Sequence, residues 1–243
     1  MTDVAQRLTK VERDQTHPNL KPRDAATLII VDRSGPQPKV LLGKRHADLK
    51  FMAGKLVFPG GRMEPGDRKM PVATDLDPHA GTRLMRGVQR PSIDKARALA
   101  LAAIRETYEE TGLLLGKRVD EVPEVPDGPW KAFADAKILP DLAQLHFIVR
   151  AITPPRRPRR FDARFFAADA SAIAHRHDGK VGPDSELVEL VWLPIAEAKR
   201  HDLPTITQVA LDELEARVAK GFGHELPSPF YRMLHKKFVR AEL

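Results

Sequence analysis

Apolar runs of strand character and of helix character alternate along this chain, and several links between strand runs are too short to hold a helix. Ala25–Val31 (AATLIIV) is rich in β-branched residues and predicts a buried strand. Ser34–Pro38 is turn material and Lys39–Leu42 resumes as a strand, which predicts a hairpin. A third strand, Lys55–Phe58, ends at Pro59-Gly60-Gly61, where the backbone must turn tightly. Leu145–Ile152, Ala163–Ala167 and Leu187–Leu193 predict further strands. Helical spacing runs through Ile206–Ala219, and from a capping Ser92 to a stop at Gly112. Short links join antiparallel neighbours and helical crossovers join parallel ones, so the expected class is α/β in the mixed, α+β sense, a mixed sheet flanked by helices.

Residues 1–23 are polar, are broken by Pro18 and Pro22, and read as a mobile N-terminal arm. Residues 24–243 read as a single domain, with residues 68–91 irregular and a helical C-terminal region over about 204–243. No window holds eighteen uninterrupted apolar residues, which excludes a helical membrane span, and the first residues lack the apolar segment of a secretory signal. There is no cysteine, so disulfides, thiolate zinc sites and cysteine nucleophiles are excluded together. A cytoplasmic location is expected. Lys and Arg number 40 against 33 Asp and Glu, and this +7 balance suggests an anionic partner without choosing among metabolites, nucleic acid and membrane surfaces.

Arg105-Glu106-Thr107-Tyr108-Glu109-Glu110-Thr111-Gly112 carries the chemistry. On a helix, Glu109 and Glu110 lie three and four residues beyond Glu106 and flank it on one face. Such carboxylates repel, each close pair by about 0.2–0.5 kcal/mol on an open helix, unless a cation sits over them. Oxygen ligands of this kind suit Mg²⁺ or Mn²⁺. An ordinary solvated acidic face is the alternative. Context favours the metal, because a strand ending in Phe58-Pro59-Gly60-Gly61, an acidic loop with Glu64 and Asp67, and the acidic helix would converge on one cleft.

These residues resemble the Nudix hydrolase signature, G-x5-E-x7-R-E-U-x-E-E-x-G-U with U a bulky aliphatic. The match starts at Gly61, continues through Arg105, Glu106, Glu109, Glu110 and Gly112, and closes on Leu113. Asp67 stands in place of the first glutamate and Thr107 in place of the aliphatic residue. Between Asp67 and Arg105 lie 37 residues where the signature has seven, an insertion of roughly 30 residues at about 68–97. Lengthening a flexible loop this much costs only about 1.5 kcal/mol, and the added segment is expected to cover or shape the cleft. Interrupted boxes occur in a branch similar to the peroxisomal acyl-CoA diphosphatases of animals. The CoA-directed motif LLTxRSx3Rx3Gx3FPGG also aligns without gaps from Leu41 to Gly61, with Gly43, His46 and Lys50 departing from it.

The resemblance implies a Nudix-type α/β/α sandwich and a pyrophosphohydrolase using Mg²⁺ or Mn²⁺. Glu109 and Glu110 would be the main metal ligands, Glu106 a ligand or general base, Gly61 a carbonyl donor, and Arg105 the residue that orders the carboxylates. Glu186 and Glu189 are candidates for an additional acid, as is Asp184. Arg45, Lys50, Lys55 and Gly60 would bind substrate. Thr153–Arg160 (TPPRRPRR) reads either as an exposed linker or as a binder of the 3′-phosphate of CoA or of RNA phosphates. His175, Arg176 and His177 read as surface residues, and Phe165, Phe166 and Trp192 as core or cleft wall. The implied substrate is a small nucleoside diphosphate-linked molecule, CoA or acyl-CoA first; nucleic acid and membrane are not expected as partners, and a homodimer is compatible. The alternatives are a broad nucleotide-sugar or nucleotide-pool hydrolase, and a non-catalytic nucleotide- or RNA-binding module.

Overall fold

The computed structural model describes residues 4–10, 16–49 and 52–243. Helix α1 (Val4–Lys10) precedes strands β1 (Arg23–Asp32), β2 (Lys39–Arg45), β3 (Leu56–Val57) and β4 (Gly60–Arg62). Helices α2 (Pro78–Met85) and α3 (Ile93–Thr111) follow, then β5 (Leu113–Leu115), β6 (Lys117–Arg118), α4 (Trp130–Asp135) and β7 (Ile138–Leu139). The second half contains β8 (His146–Ile152), β9 (Phe161–Asp169), β10 (Ile173–Arg176), β11 (Leu187–Pro194), α5 (Ile195–Ala198), α6 (Thr205–Val218), β12 (Pro229–Leu234) and β13 (Lys237–Glu242). No helix among the described residues is long and apolar enough to cross a membrane.

One nine-stranded sheet runs in the order β11-β2-β1-β9-β8-β12-β13, with β3 beside β2 and β4 beside β1. The pairs β1–β9 and β8–β12 are parallel and the other pairs antiparallel, so the sheet is mixed, as the short links require. Both faces are covered. Along β1, Ala26, Leu28 and Ile30 enter one apolar cluster with α2, α3 and α4, while Ile29 and Val31 enter a second with α1, α5 and α6. Phe166 and Phe165 on β9 divide in the same way. Period-two alternation therefore builds a layer of helix on each side of one sheet.

Helix α3 begins and ends where its caps dictate. The Ser92 hydroxyl accepts the Lys95 N–H at 3.4 Å, and Gly112 takes the left-handed conformation (φ 77°) while donating to Tyr108 O. Its alanine-rich inner face lets the helix lie close on the sheet: Ala98, Ala100, Ala102 and Ala103 are fully buried.

Three expectations need correction. Within the polar arm expected over 1–23, Val4–Lys10 is helical, because Ala5 and Leu8, three residues apart, bury one face in the second apolar cluster. The stretch 68–91 is not uniformly irregular: α2 forms there, with Asp77 accepting the His79 N–H at its start and Ala80 and Leu84 buried against the first cluster. The C-terminal region is not helical throughout. Beyond α6 the chain makes a hairpin of β12 and β13, turned by His235 and Lys236 at positive φ, and this hairpin extends the main sheet.

Candidate active site

The turn after β3 carries Gly60 and Gly61 into β4, which pairs with β1 so that Gly60 faces Thr27 and Gly61 faces Ala26. This places the glycines against the C-terminal half of α3. A Cβ on Gly61 would collide with the Glu106 carboxylate. Only glycine allows this carboxylate to lie so close to the backbone.

Below the acidic face, Arg105 holds the site together. Its Nε donates to Asp67 Oδ1 at 2.8 Å and its Nη2 to Asp67 Oδ2 at 3.2 Å. Nη1 reaches Glu106 Oε1 and Glu109 Oε1, each at 3.0 Å, and Nη2 also reaches the Arg62 carbonyl at 2.7 Å. Burial works against the guanidinium charge, but its bonds and charge interactions with Asp67, Glu106 and Glu109 outweigh it and hold the group above the usual arginine range. Asp67 also accepts the Glu64 N–H at 2.7 Å, closing the short turn that presents it. Asp67 is wholly buried, so the residue in the first acidic position of the motif serves as a clamp for Arg105. Thr107, the other departure, is buried and donates to the Ala103 carbonyl at 2.8 Å, which satisfies its hydroxyl inside an apolar layer.

Glu106, Glu109 and Glu110 all line one cavity of about 890 Å³. Burial first, then repulsion from Glu109, raises the Glu106 carboxyl to about 7 against the pull of Arg105. Burial, Glu186 and Glu106 together push Glu110 well above the carboxylate range, opposed by Arg45 and a backbone bond from Gly60. The second Glu110 oxygen, Oε2, is buried with no hydrogen-bond partner.

Among the described residues, no three carboxylate or imidazole side chains are drawn into a cluster of metal-holding size. The donor set still fits a hard divalent cation. Three carboxylates share one cavity wall, neither His nor Cys lines it, and the buried Glu110 Oε2 has no hydrogen-bond partner, which a cation would supply.

No family model matches the chain. The uncharacterized Nudix hydrolases NudL of Salmonella paratyphi B and Salmonella newport are each 30% identical over 120 residues, covering 49% of this chain and 56% of the relative. The chain thus spans about half the length of the curated relatives it matches. A crystal structure of a NUDIX hydrolase from Alicyclobacillus acidocaldarius aligns over 81% of this chain and 92% of its own, with a TM-score of 0.59 and 26% identity. The chain is thus similar to Nudix hydrolases in sequence over about half its length and in fold over most of it.

The cavity gathers most of the residues singled out by sequence. Arg105, Gly60, Gly61, Arg45, Lys55 and Glu186 join the three glutamates on its wall. Arg45 and Glu186 are brought together by the pairing of β2 with β11 and form an ion pair at 2.7 Å. Lys55 pairs with Asp202 at 3.0 Å. Lys50 lies outside the described residues. Glu189 and Asp184 are not on the cavity wall: Glu189 sits opposite Lys44 on β11 and is exposed. Phe165 lines the cavity and Phe166 packs in the opposite layer, whereas Trp192 is 40% exposed and belongs to neither.

Residues 68–97, expected to cover or shape the cleft, do not line the cavity. Met70, Leu76, Ala80 and Leu84 are buried in the first apolar cluster, so packing draws this stretch onto the flank of α3. Glu64, expected in the acidic loop, also lines the cavity, and so do residues that nothing in the sequence singles out: Leu8 on α1, Phe238 on β13, and Thr205 and Ile206 at the start of α6. The spacing of Val4, Ala5 and Leu8 was a signal for α1, but nothing local announces that Leu8 reaches the cavity.

Proposed function

We propose that the chain is a divalent-metal-dependent pyrophosphohydrolase that cleaves a nucleoside diphosphate-linked metabolite, with CoA or acyl-CoA as the preferred class. The observation that carries this reading is the face of Glu106, Glu109 and Glu110 packed against the Gly60–Gly61 turn in a single cavity. These carboxylates, with the Gly61 carbonyl, would hold Mg²⁺ or Mn²⁺. The bound ion would supply charge neutralisation of the diphosphate and a lowered pKa for attacking water.

The chain's own residues account for the rest. Arg105 keeps Glu106 and Glu109 fixed and oriented. Glu106, on the same wall, would serve either as a ligand or as the base that takes a proton from water. Arg45 and Lys55 stand on the same wall as cations for the phosphates. Leu8, Phe165, Ile206 and Phe238 form an apolar wall that suits the uncharged part of a large substrate, and the cavity volume of about 890 Å³ lies at the upper end for small-molecule sites. The Leu41–Gly61 match and this apolar wall support the CoA preference.

Steady-state hydrolysis of CoA, an acyl-CoA, ADP-ribose, NADH, dinucleoside polyphosphates and oxidised dNTPs, with Mg²⁺ and with Mn²⁺, tests the assignment. Release of 3′,5′-ADP from CoA at the highest kcat/KM is expected. Brisk turnover of another panel member beside negligible turnover of CoA would overturn the substrate class. No turnover of any member would overturn the hydrolase.

A further inference from the structure

The segment Thr153–Arg160 joins β8 to β9 and holds four arginines among three prolines. Its ends are closed by Thr153, whose N–H reaches the Phe161 carbonyl at 2.8 Å and whose hydroxyl accepts the Phe161 N–H at 3.0 Å. The four arginines do different things. Arg160 is committed to structure, with Nε on the Thr153 carbonyl at 3.1 Å and Nη1 on Asn19 Oδ1 at 2.7 Å. Arg156 is exposed and off the cavity wall. Arg157 and Arg159 line the cavity, together with Pro154 and Pro158.

The charge balance of the cavity sets Arg157 apart from Arg45 and Lys55. Arg45 and Lys55 already face carboxylates, Glu186 and Asp202. No carboxylate pairs with Arg157 among the described residues. Strand register also sets the loop apart from the acidic face. Gly61 lies opposite Ala26 on β1, whereas Phe161, at the end of the loop, lies opposite Arg23. Three residues of strand place the loop roughly 10 Å further along the sheet.

We infer that Arg157 and Arg159 form a second anion subsite, which binds a phosphate monoester carried by the nucleotide portion of the substrate away from the diphosphate. This rests on the hydrolase reading above and adds a source of selectivity to it. Prolines limit the loop's conformations, so little order is lost when it closes on a phosphate. Guanidinium groups give that phosphate charge-assisted, planar contacts which a ribose hydroxyl does not provide.

The test compares substrates that differ only in this phosphate: CoA with dephospho-CoA, and NADPH with NADH. For the wild-type protein, kcat/KM is expected to favour the phosphorylated member of at least the CoA pair by about tenfold or more, through KM. In R157A/R159A that ratio falls toward one, and R157K/R159K restores part of it. Calorimetry of 3′,5′-ADP against 5′-AMP, which needs no turnover, should show the same preference and the same loss. A wild-type ratio near one, or a ratio unchanged in the double alanine variant, overturns the subsite while leaving hydrolysis intact. Loss of salt-dependent binding to a single-stranded RNA oligonucleotide in that variant, with an unchanged nucleotide ratio, also overturns it in favour of RNA. Failure of the wild type to hydrolyse any member refutes the hydrolase instead. A thermal melt of each variant separates these outcomes from unfolding.

Discussion

Arg105 and Asp67 form a bidentate ion pair with both side chains shut off from solvent, Nε to Oδ1 at 2.8 Å and Nη2 to Oδ2 at 3.2 Å. Residues 38 apart in sequence are thereby locked beneath the acidic face. Removing one partner leaves a buried charge uncompensated. Asp67→Asn is therefore expected to destabilise the protein by about 3 kcal/mol, the low end for a broken buried pair because Glu106 and Glu109 still face Arg105. That corresponds to a fall in Tm of roughly 6–12 °C for a chain of this size. A melting temperature equal to wild type in circular dichroism would refute the clamp.

Glu110→Gln should move stability and activity in opposite directions. The amide removes a charge that burial, Glu186 and Glu106 all oppose, so the metal-free variant melts above the wild type. Metal-dependent turnover should fall by more than about 100-fold, because a ligand charge is gone. The paired measurement is a melt in EDTA beside kcat/KM in Mn²⁺; retained turnover contradicts the assigned role.

The acidic face also predicts how stability depends on pH. The Glu106 carboxyl titrates at about 7 in the folded protein against an ordinary value of 4.5. A raised folded value means that its stabilising contribution is complete below about pH 4.5 and is lost as pH rises through 7. This group should thus lower the Tm of the metal-free protein between pH 5 and pH 8, and Glu106→Gln should flatten that slope. Cations compete with the proton for the same oxygens, so the rise in Tm caused by Mg²⁺ should be larger at pH 8 than at pH 5.5. Thermal shift in EDTA and in Mg²⁺ at both values decides; a Mg²⁺ effect that is larger at the lower pH contradicts the reading.

Gly61→Ala inserts a methyl where the Glu106 carboxylate lies. Either the turn or the carboxylate must move, and displacement of the reacting groups by about 1 Å costs on the order of 100-fold in rate. The expected outcome is loss of turnover with a modest drop in Tm. Wild-type kcat/KM in this variant would show that the close approach is dispensable.

The acidic half of the site was legible in the sequence because its geometry is local. Helical period alone places Glu106, Glu109 and Glu110 on one face, Ser92 and Gly112 bound the helix, and a glycine pair marks the turn that meets it. The mixed sheet was readable from short links for the same reason. The hairpin over β12 and β13 is not legible locally, because its short strands are fixed by pairing with β8 and with each other, where Phe230 and Phe238 are buried.

The sequence by itself determined the helix caps, the spacing of the carboxylates and the lack of thiolate ligands in a chain without cysteine. Tertiary structure decided which of its many charges matter. It turned Asp67 inward as a clamp, set Glu186 against Arg45 through strands β2 and β11, left Glu189 outside, and brought Arg157 and Arg159 to the cavity from a loop whose sequence reads either as a linker or as a phosphate binder. Helical geometry spans three or four residues and is written in any short window. Cavity walls are set by strand register and by burial on both faces of a sheet, which depend on partners more than a hundred residues away.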